Sequence, residues 1–254
     1  MRLLLPPSET KRDGGDGGPV DLALLAAPEL NDARRELMGA VASLAADHDA
    51  AMRALKLGPR QTAEVERNRR IHDAPSMPAI DRYTGVLFDA LDAPSLSTEA
   101  RSHAAETVMV HSALFGLVGA LDPIPAYRLS HDSRLPGIRL RQHWRSRLAP
   151  LLAAGGGVIV DLRSEGYVQL GPAPVRDDSV FVRVVSVGDD GRRRALNHFN
   201  KRAKGVFTRA VLESRPRVES VDELIEWARA AGFELDFAQH GDRSDSVREL
   251  ELLA

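Results

Sequence analysis

The chain opens on an apolar run, Arg2 to Leu5, cut off by Pro6-Pro7. Such a run predicts a short buried strand; proline then removes both the helical option and the ladder N–H, so the chain must turn. The glycine-rich segment Lys11 to Pro19 that follows predicts a flexible polar loop at a strand end, where ligand-contacting elements gather in sheet-containing folds. From Asn31, an expected N-cap, Leu37, Val41 and Leu44 recur at helical spacing, and the pattern runs to Leu57 as one amphipathic helix or two. Gly58-Pro59 stops it, and a polar, charged helix is expected over Gln61 to Arg70. That outline is like a helix-hairpin-helix, whose turn amides hold a nucleic-acid phosphate as a helix N-terminus holds an anion. A plain helical hairpin fits the same pattern.

Pro75 to Pro78 reads as a linker, Val86 to Leu91 as a helix, and Glu99 to Val110 as helical, turning apolar and β-branched at Val108-Met109-Val110. A helix end near Leu151, a break at Gly155-Gly156-Gly157 and a strand at Val158 to Val160 follow. Val180 to Val187 alternates as a strand, Asp189-Asp190-Gly191 predicts a hairpin turn, and Arg194 to Phe199 the return. Ser220-Val221-Asp222-Glu223 predicts a capping box for a helix that buries Val221, Leu224, Ile225 and Ala228 and ends at Gly232. Phe233 to Phe237 and Ser246 to Leu252 are expected as final strands. Strands and helices mix without regular alternation, which predicts the α+β class with a mixed β-sheet flanked by helices.

A chain of 254 residues that is 43% hydrophobic can bury one large core or two small ones. No apolar run approaches the roughly 20 residues needed to cross a bilayer, so a soluble protein of the cytoplasm, with no membrane partner, is expected. The absence of cysteine excludes disulfides, a thiolate nucleophile and Cys-ligated zinc or iron–sulfur clusters. The glycine clusters lack the strand-to-helix setting of a Rossmann loop and the Gly-Lys-Ser/Thr of a P-loop, and the histidines lack metal-ligand spacing. No cofactor and no metal are therefore expected.

The formal charge of −2 hides sharp local differences. Between Ser133 and Val160 stand Arg134, Arg139, Arg141, Arg145 and Arg147 with no acid, and Gly191 to Leu212 is likewise acid-free while carrying Lys201, Arg202, Lys204 and Arg209. On a helix starting near Asn200, Lys201, Lys204 and Thr208 share one face, which predicts a surface for phosphates; a solvated basic face is the plainer alternative. Two such stretches favour a phosphate-bearing ligand, since each neutralised phosphate adds affinity by counterion release.

Taken together, Leu4-Leu5-Pro6-Pro7-Ser8-Glu9-Thr10-Lys11, the Tyr83 to Phe88 segment, the unbroken stretch Ser112 to Leu129, Trp144, Val158 to Tyr167, Lys201 to Gly205 and Gly232-Phe233 resemble, in order, the YaaA family of bacterial peroxide-stress proteins. The match to that family's Ser-Gly-Leu-Tyr-Gly stretch, continuing to Leu-Asp and Pro-Tyr-Arg-Leu, is the most specific. The resemblance implies one domain over residues 1–254, a role in oxidative stress that limits intracellular iron, and a basic cleft with a helix-hairpin-helix-like element able to bind DNA. This chain departs from the family at Thr84 and Val86, at Gly119-Ala120, at Gly166, and at Asp161 and Arg163, which replace a common Asn and Ala.

Two functions are open at this point. In the first, duplex DNA is the partner, Arg134, Arg145, Lys201, Arg202, Lys204 and Arg209 contact phosphates, and the Gly58 turn contributes amides. In the second, an enzyme acts on a nucleotide-like or other small anion in a pocket where Ser8, Glu9, Lys11, Ser112, Asp122, Tyr127, Arg128 and Lys201 converge. A third possibility for Asp122 and Arg128 is that they only tie a loop, Asp122 capping amides and Arg128 pairing internally.

Overall fold

In the computed structural model, residues 1–187, 193–195, 199–238 and 246–253 are described. The first half holds β1 (Arg2–Leu5), α1 (Asn31–Ala45), α2 (His48–Ala54), α3 (Ala63–Arg69), β2 (Ser76–Pro78), α4 (Ala79–Arg82), α5 (Val86–Leu91) and α6 (Thr98–Thr107). Next come β3 (Val108–Ser112), β4 (Gly116–Gly119), β5 (Pro123–Pro125), α7 (Leu140–Ala154), β6 (Ile159–Asp161), α8 (Glu165–Val168) and β7 (Ser179–Val187). The chain finishes with β8 (Arg193–Ala195), α9 (Phe199–Ser214), α10 (Val221–Ala230), β9 (Leu235–Phe237) and β10 (Arg248–Leu253).

One mixed sheet organises these elements, in the order β4-β3-β1-β6-β7-β10-β9 with β8 paired to β7. Its five middle strands, β3, β1, β6, β7 and β10, are parallel, whereas β4, β8 and β9 pair antiparallel. A parallel sheet covered on both faces needs apolar residues at successive positions. Leu3, Leu4 and Leu5, and Val158, Ile159 and Val160, are accordingly all buried. The fold is α+β with a mixed sheet.

Several local expectations change. Asn31 is not the N-cap of α1: it lies inside the helix, and its Oδ1 accepts from the Arg34 guanidinium at 2.8 Å. The α1–α2 run divides at Asp47, whose side chain accepts from Ala50 N at 3.0 Å and so caps α2. Helix α6 stops at Thr107 and Val108-Met109-Val110 is strand, because this apolar run with two β-branched valines pairs with β1 inside the sheet. The Pro75 to Pro78 linker contains β2, paired with β5. The capping box of α10 is displaced by one residue: Ser220 Oγ accepts from Glu223 N, but Glu223 reaches back to Glu219 N. The turn at Asp189-Asp190-Gly191 and part of the return lie outside the described residues.

The glycine-rich loop after β1 is laced down. Arg82, fully buried, donates to the backbone carbonyls of Arg12, Gly14, Pro75 and Ile124, and Gly17 bridges to Ser76. Burial outweighs the nearby Asp13 charge and lowers the Arg82 guanidinium to about 10, still charged at neutral pH.

Sheet order also positions the site. The chain leaving β1 goes on to β3 on one side, and the chain leaving β6 goes to β7 on the other. The switch point of the sheet therefore lies at the carboxyl ends of β1 and β6, the place where ligands sit in open parallel sheets.

Candidate functional site

Pro6-Pro7 ends β1 and sends the chain through Ser8-Glu9-Thr10 to Lys11, which bridges to Tyr83. This close approach needs Gly85: its φ is +96°, and a Cβ there would lie 3.2 Å from Ser8 Oγ and 3.4 Å from Thr10 Oγ1. Lys11 is buried, and its Nζ donates to Ser8 O at 2.9 Å and Glu9 O at 3.3 Å. The amine lies 4.1 Å from the centroid of the Tyr127 ring and 5.3 Å from that of Tyr83. Burial lowers it to about 7; Glu64 opposes the fall, while Arg128 and Arg67 add to it.

The second wall comes from the end of β3. Ser112 Oγ accepts from the amides of Leu114 and Phe115 and shares a hydrogen bond of 2.7 Å with the Tyr127 hydroxyl, which in turn meets the Tyr83 hydroxyl at 2.9 Å. Burial pushes the pKa of both hydroxyls well above the ordinary tyrosine value, so both keep their protons. Asn68 on α3 holds Arg128 by a reciprocal pair of 2.7 Å bonds to its backbone N and O. The Arg128 guanidinium is 7% exposed and donates to Glu9 Oε2 at 2.5 Å, whereas the Glu9 side chain is 61% exposed. Arg128 Nε and Glu64 Oε2 are buried without a hydrogen-bond partner among the described residues.

Ser8, Glu9, Lys11, Ser112, Tyr127 and Arg128 thus lie in one cluster although more than a hundred residues separate its two halves. Asp122 and Lys201 are placed elsewhere. The Asp122 Oδ2 accepts from Ala26 N at 2.7 Å and Gly119 N at 2.8 Å, which ties a turn, and Lys201 is exposed at the start of α9.

Beside this cluster, at the end of β6, lies a fully buried ionic group. Arg163 donates through Nε and a terminal nitrogen to the two oxygens of Asp161, at 2.8 and 2.6 Å, and through its other terminal nitrogen to Gly171 O and His111 Nδ1, both at 2.8 Å. Because a guanidinium only donates, His111 Nδ1 must accept, so the imidazole proton sits on Nε2. Burial first, and Arg163 second, hold that imidazole well below the usual histidine range. Its edge faces the Tyr167 ring, with centroids 5.5 Å apart.

The family described as peroxide stress protein YaaA matches residues 1–239. The chain belongs to the YaaA family. It is similar to a UPF0246 protein of Corynebacterium glutamicum, 39% identical over 237 residues that cover 91% of this chain and 93% of that protein. A UPF0246 protein of Corynebacterium efficiens is 40% identical over 241 residues (93% and 95%), and one of Streptomyces coelicolor 38% over 240 (93% and 92%).

The basic residues of this YaaA-family protein divide into two groups. Arg134, Arg145, Lys201 and Arg202 are exposed. Lys204 is buried instead: its Nζ donates to Leu162 O at 2.9 Å and Arg163 O at 3.4 Å, and burial lowers it to about 8. Arg209 donates to Leu91 O, Asp92 O and Ser95 Oγ and pairs with Glu213. The expected face of Lys201, Lys204 and Thr208 therefore turns inward at Lys204, which reaches carbonyls just past β6, and at Thr208, whose hydroxyl donates to Lys204 O within α9 at 2.7 Å. At the Gly58 turn the amide is bonded to Gln61 Oε1 at 2.9 Å, and the first turn of α3 carries Glu64 and Glu66. That amide is satisfied within its own turn, and the helix start is acidic.

Tyr83, Glu64, Asn68, His111 and Arg163 were not among the expected site residues. Tyr83 opens one of the segments that stand out in the sequence, His111 directly precedes another, and Asp161 and Arg163 lie within the Val158 to Tyr167 segment. Glu64 and Asn68 carry no such signal, since a polar residue on a polar helix announces nothing about its burial. Among the described residues no group of three His, Asp or Glu side chains could hold a metal, and no helix is long and apolar enough to cross a membrane.

Proposed function

We propose that this YaaA-family protein serves the peroxide stress response by binding, and acting on, a nucleotide-like or other small anion at the carboxyl ends of β1 and β3. The observation that carries this reading is Arg128. Its guanidinium is buried, keeps one N–H unpaired, and is held by the carboxylate of the exposed Glu9. Glu9 behaves as a stand-in for a ligand anion, which exchanges with it at little cost because Glu9 regains water. Tyr83, Tyr127 and Ser112 supply neutral hydroxyls along the same wall. Titration calorimetry with inorganic phosphate and with nucleoside monophosphates tests it. Arg128→Gln is expected to weaken binding at least tenfold, the loss of a charge-assisted bond of roughly 1.5–3 kcal/mol, with stability changed by only about 1 kcal/mol. Equal binding by wild type and variant would remove Arg128 from the site.

A separate observation favours a second reading, in which the protein lies on duplex DNA in the cytoplasm and limits iron-dependent damage to it. Arg134, Arg139, Arg141, Arg145 and Arg147 are all exposed on or just before α7, in a stretch without an acid. Replacing Arg134, Arg141 and Arg145 with Ala is expected to lower the log–log salt slope of duplex binding by about 2 to 3 units. An unchanged slope would place α7 outside any DNA interface.

A further inference from the structure

We propose that Lys11 is an imine-forming residue for a small oxo acid, its amine condensing with the ligand's carbonyl while Arg128 holds the carboxylate. This rests on the reading of the Arg128 site given above and names its ligand class. Three features of the cluster carry it. First, among the described residues no carboxylate lies within ion-pair distance of Lys11 Nζ, which is held only by the carbonyls of Ser8 and Glu9. A lysine kept from water without a counter-ion is a poor structural cation and a good nucleophile. Second, Arg128 is buried beside it with an unpaired Nε, and the carboxylate it holds belongs to an exposed side chain that can leave. Third, the hydroxyl chain Tyr83–Tyr127–Ser112 runs past the amine, with Lys11 Nζ over the Tyr127 ring.

The chemistry balances without a further reactant. The Nζ lone pair attacks the carbonyl carbon and a C–N bond forms as the C=O electron pair moves to oxygen. Proton transfer to that oxygen gives the carbinolamine, and loss of water leaves the C=N bond, the two amine hydrogens departing with the carbonyl oxygen. Arg128 and Arg67 favour the neutral amine and Glu64 and Glu9 oppose them, but burial is the largest influence, and the amine is half neutral at about pH 7.

Reductive trapping tests the proposal on the full chain, with pyruvate as probe, sodium cyanoborohydride as reductant and peptide mass spectrometry as readout. The chain has four lysines, and the exposed Lys56 and Lys201 serve as internal controls. A single adduct is expected on Lys11, with a mass gain of pyruvate less one oxygen atom, and its initial rate should rise through about pH 7. Lys11→Arg should abolish it, with circular dichroism confirming the fold. Arg128→Gln should slow it about tenfold at low pyruvate and be rescued at saturating pyruvate, as expected for a lost carboxylate anchor. Labelling of Lys56 and Lys201 at the same rate as Lys11, or no adduct on Lys11, would overturn the proposal. If phosphate or pyruvate still binds at Arg128 by calorimetry without an adduct, the imine step alone falls. If neither anion binds there, the site itself falls with it.

Discussion

Lys11→Met is expected to make the protein more stable at neutral pH while abolishing any chemistry of its amine. In the unfolded chain the amine titrates near its ordinary value of 10.5, and in the folded protein at about 7. The unfolded state therefore binds more protons between these values, and stability rises with pH across that window. Below about pH 7 both states are charged and the full penalty is present; above about 10.5 both are neutral and it is gone. A shift of that size corresponds to roughly 4–5 kcal/mol. Two hydrogen bonds and a ring contact, at about 1 kcal/mol each, are lost with the amine. A net gain of about 1–2 kcal/mol is expected near pH 6, shrinking by about pH 10, read as the difference between wild-type and variant melts. A Met variant less stable than wild type near pH 6 would show that the buried amine is a structural asset.

The Asp161–Arg163 pair yields the other large effect. Arg163→Ala leaves the Asp161 carboxylate, 2% exposed, without its counter-charge, and a cost of about 3–5 kcal/mol is expected in denaturant titrations. Asp161→Asn in the same chain removes the stranded charge and should recover most of that loss, since buried ion pairs add little over neutral replacements. The single variant should also let the His111 imidazole rise, because Arg163 is the second cause of its depression after burial. If the double variant were as unstable as the single one, the guanidinium bonds to Gly171 O and His111 Nδ1, and not the ion pair, would be what holds this corner.

The cluster at Lys11 and Arg128 was readable because its parts lie in segments whose local pattern is unusual. Pro-Pro after an apolar strand forces a turn, and the Ser112 to Leu129 stretch carries polar residues inside an apolar run. Tyr83 joins them through its bridge to Lys11, and His111 and Arg163 only because β1, β3 and β6 end side by side. Strand order is a long-range property, and no local spacing encodes it.

What the sequence determined by itself were the elements set by local pattern and the absence of thiol chemistry. Apolar runs became the parallel strands, and Ser220, followed by a helical apolar stripe, became the capped start of α10. Destinations of charge were decided only by the tertiary structure. Two acid-free stretches looked equally suited to phosphates, yet Lys204 and Arg209 turn inward while Arg145 and Lys201 face water. The reason is that folding creates acceptors the sequence does not display: carbonyls left unpaired where β6 and α5 end, and along the loop that Arg82 laces down. A basic side chain within reach of such a carbonyl supplies the donor it needs, since a buried acceptor left unpaired costs about 1–3 kcal/mol.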